Sequence, residues 1–206
     1  MHDILVYGNP SKLFFDLINE RKRKEGQGIA ILLAEKRPDI SPTISVAKRF
    51  LGIGVEVTVI SFNMISFCME RKMISAAYLF YHSLGEDTIS SDIGSRIVAI
   101  SAREHGIPLF LYPSASTKKG KNGGKEEDDI RRFMGYPIAP ETINTFTPLV
   151  EEVPWRYVSS VCLRNGIIIK EEALKDFLKK KYGRKGKRGE EEGNKGKDCQ
   201  GLSRSL

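Results

Sequence analysis

Between residues 3 and 112 short apolar runs of strand length alternate with amphipathic stretches, and this alternation narrows the fold more than any other feature. The runs Asp3 to Tyr7, Gly28 to Ala34, Val55 to Ser61, Ser75 to Phe80 and Ile107 to Tyr112 are rich in Ile, Val, Leu and aromatic residues. Strands covered on both faces have that texture, so a mostly parallel sheet with helices on either side is expected: a three-layer α/β domain. Ser11 to Lys24 places Leu13, Phe14, Leu17 and Ile18 on one helical stripe, with Arg21, Lys22, Arg23 and Lys24 in the last turn, where cations complement the helix dipole. Gly26 then ends it. Ser41 is expected to cap a helix from Pro42 to Leu51, Asp92 to cap one running to His105, and Asn63 to Arg71 to form a shorter one.

Beyond the fifth run the texture changes. Ser114 to Asp129 is glycine, lysine and acid with almost nothing apolar, so a mobile surface insertion is expected at about 114–129. A short strand at Val158 to Leu163, a turn at Asn165-Gly166 and a last helix from Glu171 to about Lys180 follow. The net charge of +7 belongs mainly to the end of the chain: from Lys179 onward there are ten cations and four anions, leaving 23 cations and 22 anions before it. The expected organisation is one domain over 1–178 and a disordered basic tail over 182–206, which either makes weak RNA contacts or only solubilises the chain. The 206 residues, 40% hydrophobic and 29% charged, exclude collagenous and disulfide-scaffold classes. No apolar stretch is long enough to span a membrane and no basic region precedes the first apolar run, so neither membrane insertion nor secretion is expected. Cys68, Cys162 and Cys199 lack ligand or redox spacing, which fits a cytoplasmic location and implies no metal.

In sheets of this kind ligands bind at the carboxyl ends of the strands. After the first strand, Gly8-Asn9-Pro10-Ser11 sets a glycine, an amide and a hydroxyl at a helix start, which either holds a phosphate or caps the helix. After the second, Glu35-Lys36-Arg37-Pro38 brings two cations and an acid; arginine suits bidentate phosphate binding, with solvated charges the alternative. After the fourth come His82, Glu86, Asp87 and Asp92, acid and base groups without the second histidine of a metal site. Trp155 beside Tyr157 serves packing or an interface.

Glu35-Lys36-Arg37-Pro38, Gly54-Val55-Glu56-Val57-Thr58-Val59-Ile60, Ile93-Gly94-Ser95-Arg96 leading to Ala102-Arg103-Glu104-His105-Gly106-Ile107-Pro108, and Val153-Pro154 leading to Asn165-Gly166-Ile167-Ile168 occur in an order and spacing that carry a resemblance. Over about residues 3 to 170 the chain resembles the carboxyl-terminal Rossmann-like domain shared by the alpha, beta and delta subunits of translation initiation factor 2B and by the aldose-ketose isomerases of methylthioribose 1-phosphate and ribose 1,5-bisphosphate. In that family a helical domain precedes the sheet domain, and the resemblance here covers the sheet domain alone.

The resemblance implies site residues, and the sequence departs from it at several. The isomerases carry a cysteine after the first strand, at the position of Gly8, and an aspartate in an Asn-Gly-Asp loop that has no counterpart in the shorter Gly85 to Gly94 segment. A second phosphate-binding arginine is replaced by Ile44, so Arg37 and Asn9 are what remains, with Glu35, Gly8 and Ser11 beside them as ligand-binding candidates. Isomerisation needs an acid and a base flanking C1 and C2, a contribution of about 10² to 10⁴ in rate. The expected function is therefore a non-catalytic, initiation factor 2B subunit-like role: protein binding in translation initiation, with a vestigial phosphate or nucleotide pocket and no cofactor. Expected partners are a second copy or related subunit, paired through Trp155 and Tyr157, and initiation factor 2. The alternatives are a divergent sugar-phosphate isomerase using Asp92 and an RNA-associated protein acting through its tail.

Overall fold

The computed structural model describes residues 3–25, 28–37, 39–115, 130–133 and 136–182. The chain runs β1 (Asp3–Tyr7), α1 (Lys12–Glu25), β2 (Ala30–Ala34), α2 (Ser41–Gly52), β3 (Glu56–Ile60), a 3-10 turn (Phe62–Met64), α3 (Ile65–Glu70), β4 (Ile74–Leu84) and β5 (Thr88–Asp92). Then follow α4 (Ser95–Glu104), β6 (Leu109–Pro113), β7 (Arg132–Phe133), β8 (Tyr136–Pro137), β9 (Val150–Pro154), a second 3-10 turn (Trp155–Tyr157), β10 (Ser160–Cys162), β11 (Ile168–Lys170) and α5 (Glu171–Tyr182). Two compact units divide between Glu171 and Glu172. The first holds the sheet. The second contains α5 from Glu172 on, a helix with Lys179, Lys180 and Lys181 in its last turn and Leu174 buried.

The main sheet has the order β11-β10-β6-β4-β1-β2-β3, and every neighbouring pair from β10 to β3 is parallel. This is the expected mostly parallel, Rossmann-like α/β architecture. Period-2 alternation sorts each strand between two faces. Ile4, Val6, Ile31, Leu33, Tyr78 and Phe80 pack with Phe14, Phe15 and Ile18 of α1 and with Val46, Ala47 and Phe50 of α2. The alternate residues Leu5, Leu79 and Leu111 are fully buried on the other face, where α4 lies against β4 and β6 and buries Val98, Ala99 and Ala102. Phe14 anchors the first face, its ring meeting those of Phe50, Tyr78, Phe80 and Tyr112.

Three local expectations are corrected. Ser41 is the first helical residue of α2 rather than its cap; Ile40 holds the cap position, and the Ser41 N–H donates to Asp39 Oδ1 at 2.8 Å. Asp92 does not cap α4, which begins at Ser95 behind Gly94. The segments either side of Glu86 form strands: β4 runs on to Leu84, β5 returns antiparallel beside it, and β9 adds antiparallel to β5. The insertion expected at 114–129 lies outside the described residues apart from Ser114 and Ala115, and the basic tail lies outside them apart from Tyr182. No helix of the described residues is long and apolar enough to cross a membrane.

Candidate functional site

Chain direction fixes where a cleft opens. From β1 the chain moves outward through β2 to β3, and from β4 it moves the other way through β6 to β10. The loops after β1 and β4 therefore part from one another, and the space at their carboxyl ends is the switch point where ligands enter such sheets. Gly8 follows β1 there, and the extended end of β4 carries His82 alongside β5, which ends in Asp92.

Asp92 is the centre of the site. Its Oδ1 accepts a hydrogen bond from Lys36 Nζ at 2.8 Å and lies 3.1 Å from His82 Nε2. The side chains are 5% exposed for Asp92, 2% for His82 and 19% for Lys36, so the cluster is closed on the His82 side and open to solvent on the Lys36 side. Burial by itself raises the Asp92 carboxyl; the His82 hydrogen bond and the Lys36 charge outweigh it and hold the group below its ordinary value. The result is a fixed carboxylate whose Oδ1 is shared by two nitrogen groups.

The backbone around Asp92 is held from both sides. Tyr7 donates its hydroxyl to the Ile93 carbonyl, and burial, with the Asp92 and Glu151 charges adding to it, drives the Tyr7 phenol well above its usual range. Gly94 turns with φ +95, and a Cβ there would lie 2.7 Å from Tyr7 Oη and 2.8 Å from Phe62, so only glycine fits. Gly8 is similar: its φ is +110, and a Cβ would meet Asp92 Oδ2 and Phe80 Cδ2 at 3.3 Å each. The position at which the resemblance calls for a cysteine thus faces the Asp92 carboxylate directly.

The remaining candidates take distinct places. The Asn9 carbonyl accepts from the Ala115 N–H at 3.0 Å and from the Ser114 hydroxyl at 3.4 Å, tying the β1 loop to the end of β6. Ser11 offers its carbonyl to the first turn of α1, while its buried hydroxyl has no partner among the described residues. Lys36 and Arg37 diverge: Lys36 turns inward to Asp92, with its N–H on Thr43 Oγ1 at 3.0 Å, whereas Arg37 pairs with Glu35 at 3.1 Å and stacks 4.3 Å over the Phe133 ring. Arg37 is half-exposed and belongs to the rim. Trp155 is buried and donates its indole N–H to the Gly85 carbonyl at 3.2 Å, a contact inside this chain, while Tyr157 lies at the surface beside Arg156. No cluster of three metal-ligating side chains occurs among the described residues.

The Lys36–Asp92–His82 constellation is what sequence reasoning missed. Each residue stood in a loop already under suspicion, but nothing in their spacing joins three separate segments. The one available signal was the lysine within Glu35-Lys36-Arg37-Pro38, since a cation next to a strand end needs an anion to enter the interior.

Several known proteins share this framework. The chain is 31% identical over 152 residues to the 5-deoxyribose 1-phosphate isomerase of Moorella thermoacetica, covering 69% of this chain and 43% of that protein. It is 27% identical over 157 residues to the methylthioribose-1-phosphate isomerase of Geobacter sulfurreducens, covering 69% and 44%. The chain spans less than half the length of these curated relatives. Among solved structures it is similar to the translation initiation factor eIF-2B subunit delta from A. fulgidus, with a TM-score of 0.71 at 18% identity over 86% of this chain and 57% of that one. A 5-methylthioribose 1-phosphate isomerase from Pyrococcus horikoshii OT3 gives 0.70 at 23% identity over 89% and 55%. The model of the initiation factor 2 subunit family matches residues 2–169, and the chain belongs to that family.

Proposed function

We propose that this chain is a non-catalytic, initiation factor 2B subunit-like module that retains a binding site for a small phosphorylated ligand at the β1–β4 switch point. The observation that carries this reading is Gly8: it has no side chain to act as nucleophile or acid, its φ is +110, and the adjacent Asp92 is locked as a carboxylate by Lys36 and His82. An aldose-ketose shift needs a group that gives a proton as well as one that takes it. A carboxyl held below its ordinary value is a poor donor. Lys36, Arg37 at the rim and the Ser11 hydroxyl, which has no partner among the described residues, supply what an oxyanion needs. The partners proposed on this reading are a second copy or related subunit and initiation factor 2.

The experiment is a paired one. Wild type, Lys36→Ala and Arg37→Ala are heated with methylthioribose 1-phosphate, ribose 1,5-bisphosphate, 5-deoxyribose 1-phosphate, AMP or GDP, and the three sugar phosphates are also assayed for ketose formation. The expected result is a melting shift with one compound, lost in the variants, and no turnover above background. Turnover that disappears in Asp92→Asn would establish the second reading, a divergent isomerase, which the names of the 31% and 27% identical relatives favour. On that reading Asp92 and His82 act together as the acid-base pair.

A further inference from the structure

A recess lies at the opposite end of the sheet. The last turn of α4 and Gly106 lead the chain into the start of β6, and the turn Trp155–Tyr157 leads it into β10 next door. Between them is a recess of about 250 Å³ lined by Arg103, Ile107, Pro108, Arg156, Tyr157, Ser159 and Glu171, among others. It uses none of the residues of the switch-point site.

We propose that this recess binds a small oxyanion-bearing ligand, of the phosphate-monoester or carboxylate class, between Arg103 and Arg156. Arg103 Nη1 donates to the Arg156 carbonyl at 3.0 Å, which fixes the helix end to the turn and sets the two guanidinium groups on one recess. Arg156 Nη2 donates to Tyr157 Oη at 3.1 Å, with its guanidinium 4.9 Å over the phenol ring. Neither guanidinium has a carboxylate within ion-pair distance among the described residues. Each arginine has five N–H donors and spends one in these contacts, so donors remain on both. Glu171 is the one acid in the lining, which leaves an excess of positive charge. Ligand sites for drug-sized molecules start at about 300 Å³, so this recess suits a small metabolite with a compact apolar body against Ile107 and Pro108. Fork-shaped donors select the planar or tetrahedral oxyanion over a single charge.

The test uses the full chain, titrated at constant ionic strength with inorganic phosphate, glycerol phosphate and citrate by calorimetry and by amide shifts in NMR. Saturable binding that moves the Gly106 and Ser159 amides is expected. Arg156→Gln, whose exposed side chain holds only Tyr157 among the described residues, should weaken it by about tenfold or more, the loss of one charge-assisted hydrogen bond. Arg156→Lys should restore only part, and Lys36→Ala and Arg37→Ala should leave it unchanged. Preference for phosphate or for citrate assigns the ligand's acid group. A linear, unsaturable response, or saturable binding that Arg156→Gln does not weaken, overturns the proposal. Binding lost in Lys36→Ala but kept in Arg156→Gln locates the anion at the switch point and overturns it too.

Discussion

Asp92 brings a negative charge to a place where 5% of its side chain meets solvent, and two nitrogen groups make that tolerable. Removing one member of such a cluster leaves the others uncompensated, a loss of about 3 kcal/mol or more. Asp92→Asn should therefore lower the unfolding free energy obtained from urea titration at neutral pH by that much. A carboxyl held below its ordinary value stabilises the fold above the unfolded-state pKa of about 4 and ceases to do so as pH falls through the folded value. The gap between wild type and Asp92→Asn should thus close on acidification below about pH 4; a constant gap would mean that ionisation is not its source. Gly8→Ala should cost about 1–2 kcal/mol from its left-handed backbone alone, and the Asp92 and Phe80 contacts at 3.3 Å make relief by a small shift difficult. Gly8→Cys carries the same penalty. At this scale the sequence was only partly legible: Arg37, Glu35, Asn9 and Ser11 could be singled out as candidates, but which of two adjacent cations turns inward depends on the exit angle of one strand. Lys36 and Arg37 differ in fate and hardly at all in pattern.

At the scale of elements, α4 shows how a helix can be completed from elsewhere. Its own cap position is Gly94, which has no side chain to offer, and Glu151 of β9 supplies the missing acceptor, taking the Arg96 N–H on Oε1 at 2.9 Å. Such a cap is worth about 1 kcal/mol, helped by the charge at the helix start. Glu151→Ala should lose about that much stability and speed hydrogen exchange at the first α4 amides, while Glu151→Gln should retain most of the protection. The parallel strands could be found in the sequence because burial on both faces makes them continuously apolar; β1 falls at Asp3–Tyr7 as expected and β3 within a residue at each end. β5 and β9 escaped notice for the opposite reason. Thr88-Ile89-Ser90-Ser91-Asp92 has one apolar residue and Val150-Glu151-Glu152-Val153-Pro154 has two acids and a proline, and only pairing, of β5 with β4 and of β9 with β5, makes strands of them.

For the whole molecule, buried ionisable groups bound the pH range of stability on both sides. Burial, with the Cys162 charge adding to it, pushes the Tyr112 phenol up to about 12, and burial does the same for Tyr81, whose hydroxyl is held by the Cys162 carbonyl at 3.0 Å. Groups raised in this way contribute their full stability below the unfolded-state value of about 10 and lose it as pH climbs past that. The fold should hold a plateau between the carboxylate range and about pH 10, then unfold with a rise in phenolate absorbance that coincides with the loss of far-ultraviolet ellipticity. A phenolate signal that is complete before ellipticity falls would contradict the burial of these rings. The outermost strand sets a different kind of boundary. Among the described residues β3 pairs only with β2, with Glu56, Thr58 and Val59 exposed along it, so one row of its main-chain N–H and C=O groups faces outward. Main-chain groups bond to any extended segment that reaches them, whatever its side chains. Crowding alone can therefore template intermolecular strand pairing at this border, and the charge of Glu56 is what the strand itself sets against it.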